Sequence, residues 1–331
     1  MEAIVRKVIL SRLKKPTAIA MAIFILVATF FLLVQYQQDW SIKDVFKEAT
    51  NKTSIKIEQH LAPNKLLKIL KDVGEPQYEN LGLIEEDFFL IKNAGFDIIE
   101  GSFDICQDPA DVKFFLDNAE KFGLKVIMNA GSGEGEWGYE CDENYKPGQK
   151  PIWQKEKVRD WVLRWKNHPA VFAWDISNEA GANFPFGPAR VKSGGNFEKE
   201  YALTLSQLQQ AYKDVKSFDP EREIMIRMNG WYFYDYKENF FRPGNPFGKD
   251  VADIVMINAY SNVEDYYADF VYSVMNRAAE AILKIEPNTK IIAALGVWEE
   301  PPLWRKPKPE HLIYDYQEAL KIDKLIGVAF F

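Results

Sequence analysis

The run VFAWDISNEA, residues 171–180, is apolar for most of its length and then ends on Asn178-Glu179. A carboxyl group delivered at the tip of a buried strand can give a proton to a leaving oxygen and later take one from water. An amide beside it can hydrogen-bond a substrate hydroxyl. The plainer alternative is a polar pair that ends a strand and opens a helix. If the pair is functional, its chemistry is general acid/base catalysis, and a second reactive group must come from elsewhere in the chain.

The elements that would position such groups alternate along the sequence. Apolar runs at 53–59, 96–100, 124–129, 171–176, 223–228, 253–258, 290–295 and 325–330 read as eight strands. Amphipathic stretches at 85–94, 109–122, 153–167, 197–218, 264–285 and 310–322 read as helices between them. Regular βα alternation predicts a parallel sheet of the α/β class, and eight strands predict a (β/α)8 TIM barrel with its chemistry at the C-terminal ends of the strands. Gly95 and Gly123 mark helix ends, and Pro109 opens a helix. The sequence stops on Phe331, so the helix that would cover the eighth strand is expected to be missing. The barrel would then be closed by other means, such as residues 61–78, or the reading frame would be truncated.

Several motifs within this frame resemble a known group. Trp165-Lys166-Asn167-His168-Pro169, followed by Val171, Trp174 and Asn178-Glu179, resembles the fourth strand of retaining glycosidases of the large barrel clan that includes cellulases, mannanases and β-galactosidases. The stretch EEDFFLIKNAGFDIIE, residues 85–100, is similar to the first helix and second strand of cellulase-type barrels. The resemblance implies that Glu179 is the acid/base residue and that Asn178 binds the sugar 2-hydroxyl. Asp253, Asn258, Tyr260 and Ser261 resemble the clan's sixth strand, which implies that the Tyr260 hydroxyl supports the nucleophile.

The seventh strand departs from the pattern. Where the clan has a motif like T-E-F-G, residues 290–298 read KIIAALGVW, with Leu295 or Gly296 in place of the nucleophilic glutamate. A retaining mechanism needs two carboxyl groups about 5 to 5.5 Å apart. Glu299 is the expected substitute and Glu300 the alternative, although two glutamates ahead of Pro301-Pro302 also suit a solvated loop. Glu100 and Asp104 after the second strand, and Glu134 and Glu136 after the third, are further candidates on the same face. Trp137, Trp231 and Trp298 fall in loops after the third, fifth and seventh strands, where flat indoles can stack on pyranose rings. Trp174, inside the fourth strand, reads as barrel packing.

Composition bounds the remaining classes. The chain has 331 residues, 47% of them hydrophobic, and 9 Trp, 15 Tyr and 23 Phe exceed the needs of a core this size. A net charge of −7 with scattered signs offers no basic stripe for nucleic acid. The glycine-rich loop at 131–137 lacks the Gly-Lys-Ser/Thr ending of a phosphate loop. His60, His168 and His311 have no metal-binding spacing, so no metal or cofactor is expected. Cys106 and Cys141 fall in loops after neighbouring strands. A disulfide between them is permitted in an exported domain, with two unpaired buried thiols as the alternative.

Residues 16–38 carry no charge, and residues 18–34 are almost wholly apolar, close to the roughly 20 residues that cross a bilayer core. Arg6, Lys7, Arg12, Lys14 and Lys15 precede this segment, which places the N-terminus in the cytoplasm and exports the rest. No small-residue cleavage site follows, so a retained signal anchor is expected. The organisation read from sequence is a basic segment at 1–15, a transmembrane anchor at 16–38, a stalk at 39–52 and a barrel at 53–331. The expected activity is hydrolysis or transglycosylation of a β-linked oligo- or polysaccharide outside the cell. The alternatives are an inactive barrel that binds glycan at the cell surface and a barrel enzyme of other chemistry.

Overall fold

A computed structural model describes residues 66–131, 153–178, 203–230, 233, 247–262, 269–299 and 304–331. Its eight strands pair in parallel, each with the next, and the eighth returns to the first to close the barrel. They are β1 (Leu67–Val73), β2 (Ile98–Gly101), β3 (Lys125–Asn129), β4 (Val171–Asp175), β5 (Glu223–Asn229), β6 (Ile254–Asn258), β7 (Lys290–Leu295) and β8 (Leu325–Phe330). Six helices are described between them: α1 (Glu85–Asn93), α2 (Pro109–Lys121), α3 (Lys155–Trp165), α4 (Leu205–Phe218), α5 (Phe270–Ile285) and α6 (Pro309–Ala319).

Local chemistry sets several of these boundaries. The Asp108 side chain accepts from the Ala110 amide at 2.7 Å and so caps α2 ahead of Pro109. Thr204 and Gln207 form a reciprocal capping box at the start of α4, so that helix begins at Leu205 and not near 197. Gly95 and Gly123, at φ +91° and +68°, supply the left-handed residue that ends α1 and α2.

Strand alternation sorts the apolar residues into two shells. Ile69, Ile98, Ile127, Ala173, Met225, Ile254, Met256, Tyr260, Ile292, Ala294 and Ala329 meet in one buried cluster that fills the barrel. Their neighbours in the other phase point toward the helices. Trp174 belongs to that second set: it is fully buried, and its indole Nε1 donates to Asp219 Oδ2 at 2.9 Å, which ties β4 to the end of α4.

The first strand corrects the sequence expectation. It is Leu67–Val73, whose Leu67 to Leu70 pair with Gly327 to Phe330 of β8, and residues 53–59 lie outside the described residues. The true strand was hidden because Lys68, Lys71 and Asp72 interrupt its apolar pattern. Segment 61–78, named as a possible closure, therefore contains a strand of the barrel itself. Among the described residues no helix follows β8, and no helix is long and apolar enough to cross a membrane. Residues 16–38 and the proposed stalk lie outside the described residues.

Candidate active site

One alternation step beyond the apolar cluster, toward the C-terminal ends of the strands, the inward positions become Lys71, Glu100, Asn129, Asp175, Arg227, Asn258, Gly296 and Phe331. Oil thus gives way to a polar layer beneath the barrel mouth. Glu100, Asp175 and Arg227 are 0%, 1% and 2% exposed, so their charges are answered within the protein. Arg227 does this from β5, with Nη1 at 2.8 Å from Glu100 Oε1 and Nε at 2.7 Å from Asp175 Oδ2.

The charges are unevenly balanced. Burial raises the Glu100 carboxyl from its ordinary 4.5 to about 7, against the opposing pull of Arg227 and Lys71. Burial also raises Asp175, again opposed first by Arg227. For Arg227 burial works against the cation, but Asp175 and Glu100 outweigh it and hold the guanidinium firmly charged. One cation therefore holds together two carboxyl groups that would otherwise repel.

Lys71 enters the same layer from β1 through an irregularity in the ladder between Leu70 and Val73. Its neighbour Asp72 adopts φ +50°, in the left-handed region, and is exposed at the mouth. The buried Lys71 ammonium donates to Tyr260 Oη at 2.9 Å and lies 4.5 Å from the centroid of the Phe331 ring. Tyr260, 6% exposed, stands two residues past Asn258. The Trp298 ring meets it edge-on at 4.7 Å, and Trp304 and Phe331 each lie 5.8 Å away. An aromatic wall therefore surrounds a phenol hydrogen-bonded to a cation.

The loop after β7 is held against this wall by Asn262. Its Nδ2 donates to the Trp298 carbonyl at 2.9 Å, and its own carbonyl accepts from the Arg305 amide at 2.8 Å. Gly296 lies beneath it. A Cβ on Gly296 would fall 2.3 Å from Asn262 Oδ1 and 2.8 Å from the Trp298 ring. Leu295 lies in the opposite phase, toward the helices. An inward side chain at this strand tip would require Asn262 Oδ1 and the Trp298 ring to shift.

The other sequence candidates are distributed as follows. Asn178 is half-buried just past β4, and its Oδ1 is buried with no hydrogen-bond partner among the described residues. Glu179, which follows it, lies outside the described residues, as do Trp137, Trp231, Glu300, Glu134 and Glu136. Glu299 is exposed one residue beyond Trp298. Asp104 accepts from the Cys106 amide at 2.7 Å within the loop after β2. Cys106 is disulfide-bonded, and Cys141 lies outside the described residues. His168 sits at the opposite end of the barrel, 3.3 Å from Asp117. No group of three or more His, Cys, Asp or Glu placed to hold a metal ion occurs among the described residues.

Sequence reasoning singled out Glu100 but missed Lys71, Asp175 and Arg227. A signal was available, since each is a charge inside or at the end of a strand: LKILKDV, VFAWD and EIMIRMN.

A closed parallel barrel with charged and aromatic side chains gathered at the C-terminal ends of its strands is a (β/α)8 barrel. The chain belongs to the glycosyl hydrolases family 2, TIM barrel domain, whose family model matches residues 80–317. A β-galactosidase of Lactobacillus delbrueckii subsp. bulgaricus is 23% identical over 194 residues, covering 53% of this chain and 19% of that protein. A relative in Formosa agariphila named for β-glucuronidase activity is 29% identical over 90 residues, 27% of this chain and 8% of its own length. The chain therefore spans less than a fifth of either curated relative. Among solved structures, Bacteroides uniformis β-glucuronidase 2, covalently bound to a cyclophellitol-6-carboxylate aziridine, matches with a TM-score of 0.53 at 16% identity, over 81% of this chain and 30% of that one. At that identity the match speaks to the fold.

Proposed function

We propose that the chain is a glycoside hydrolase or transglycosidase acting on a β-linked glycan, with Glu179 as general acid and then general base and Asn178 as the 2-hydroxyl ligand. The observation that carries this reading is the Asn178-Glu179 pair just after β4 in a chain of glycosyl hydrolase family 2, together with a buried Asn178 Oδ1 that has no hydrogen-bond partner among the described residues. Trp298, and by sequence Trp137 and Trp231, supply aromatic faces for sugar rings. The attacking group comes from outside β7. Glu299 and Glu300 are the loop carboxylates that the sequence offers. The named activities of the relatives suggest β-galactosides and β-glucuronides as the first substrates to try.

We place the barrel outside the cell, anchored by residues 16–38 with the N-terminus in the cytoplasm. The charge-free segment and the five preceding basic residues support that topology. The test is to purify the full chain in detergent and assay hydrolysis of a panel of β-linked oligosaccharides and aryl β-glycosides. Turnover of one class is expected.

A second reading is favoured by Gly296. A barrel that has lost the β7 nucleophile and binds glycan without cleaving it would retain affinity for the same panel and show no turnover. Fold membership alone does not decide between the two.

A further inference from the structure

We propose that Arg227 is a positioning residue: fixed between Glu100 and Asp175, it sets the place of Ser177 and Asn178 at the tip of β4. The inference rests on the glycosidase reading above and names what aims the Asn178 amide in that reading.

One residue of β5 grips the tip at two points. The Arg227 backbone amide donates to the Ser177 carbonyl at 2.8 Å, and the Arg227 Nε lies 2.7 Å from Asp175 Oδ2. Asp175 passes that hold along the chain, because its Oδ1 accepts from the Ser177 amide at 3.1 Å. The N–H and C=O of Ser177 are thus both committed, and Asn178 follows directly. The same tip is closed on its other side by β3. The Asp175 carbonyl accepts from the Ala130 and Gly131 amides at 2.7 and 3.1 Å, and a Cβ on Gly131 would lie 2.0 Å from the Ile176 carbonyl oxygen.

Glu100 completes the arrangement. It stands on β2, three strands from β5 around the barrel, and its Oε1 lies 2.8 Å from Arg227 Nη1. The guanidinium is therefore held at both ends and kept facing Asp175. Buried ion pairs add little net stability over an apolar filling of the same volume; what they add here is direction. Asn178 Oδ1, buried and without a hydrogen-bond partner among the described residues, is the acceptor whose direction the bridge fixes. A misplacement of about 1 Å at a substrate-positioning group can cost about a hundredfold in rate, so a rigid tip has a large effect to exert.

The experiment compares kcat/KM of the detergent-purified full chain on an aryl β-glycoside that it cleaves and on the 2-deoxy analogue of that glycoside, which lacks the hydroxyl assigned to Asn178. Asp175→Asn can keep an acceptor toward the Ser177 amide or toward Arg227 but not toward both, since its second atom is an NH2 group. It is expected to lose at least about tenfold on the glycoside and no more than about threefold on the 2-deoxy analogue. Hydrogen exchange in the peptide spanning Ser177 is expected to speed up at least about tenfold. Arg227→Lys, whose single ammonium cannot reproduce the fork, should show the same pattern and takes the place of Asp175→Asn if that chain does not fold. Ile292→Val, in the apolar cluster below, is the packing control: it should lower the thermal midpoint and leave both the substrate ratio and the exchange unchanged. No loss on either substrate, equal losses on both, or a changed ratio that Ile292→Val shares overturns the positioning role and leaves the glycosidase reading standing. A wild-type chain that cleaves no glycoside defeats that reading and this proposal with it.

Discussion

Gly296 and Asn262 approach so closely that a Cβ on Gly296 would lie 2.3 Å from Asn262 Oδ1, so any side chain there must push the amide aside. Asn262 is committed there, since it holds the Trp298 and Arg305 carbonyls. Gly296→Ala is expected to cost about 1–3 kcal/mol of stability by overpacking. Chemical denaturation would read this as a lowered midpoint. Asn262→Ala in the same chain should make the two costs non-additive, because the second change removes the atom that the first one hits. Strict additivity would mean that the strand tip can relax away from Asn262.

Arg227 is the cation on which two buried carboxyl groups depend. Arg227→Met is expected to destabilise the barrel by about 3–5 kcal/mol at neutral pH, since it leaves Glu100 and Asp175 buried without their partner. Urea unfolding at pH 7 measures it. A loss below 1 kcal/mol would mean that water or a rearranged side chain replaces the guanidinium.

Glu100 also makes stability depend on pH. Its folded pKa of about 7 lies above the ordinary 4.5, so the folded state holds the proton more tightly than the unfolded chain does. The stabilisation is fully present below about 4.5 and is lost as pH rises through about 7. Glu100→Gln should flatten that part of the stability curve, although Asp315, which burial raises to about 6 against its hydrogen bond from Ser261, contributes a fall of the same sign. Unfolding midpoints of both chains at pH 4.5, 6 and 8 provide the check. An unchanged slope in the variant would show that Glu100 titrates like an exposed carboxylate.

How much of this was legible in the sequence depended on the strand. β7 and β8 were read with the bounds they have, because KIIAAL and LIGVAF are unbroken apolar runs between polar turns. β1 was missed because its upper half is part of the site: Lys71 faces a tyrosine and Asp72 adopts a left-handed φ, so the strand is charged where a strand is expected to be greasy. The same rule explains why Asp175 and Arg227 were passed over. Each is a charge that makes sense only once β2, β4 and β5 are brought to a common layer, and no spacing along one strand records that meeting. The vacancy at β7 was visible as a departure from a motif. The close approach of Asn262 and Trp298 to Gly296 is tertiary and could not be read there.

Leaving-group dependence in Glu179→Gln tests the central claim most directly. kcat/KM would be measured for the full chain and the variant, first on an oligosaccharide that the protein cleaves and then on the 2,4-dinitrophenyl glycoside of the same sugar. If Glu179 protonates the leaving oxygen, the variant loses about 10²–10⁴-fold on the oligosaccharide and far less on the dinitrophenyl glycoside, whose leaving group needs no proton. Equal losses on both substrates, or none on either, would contradict the role assigned to Glu179.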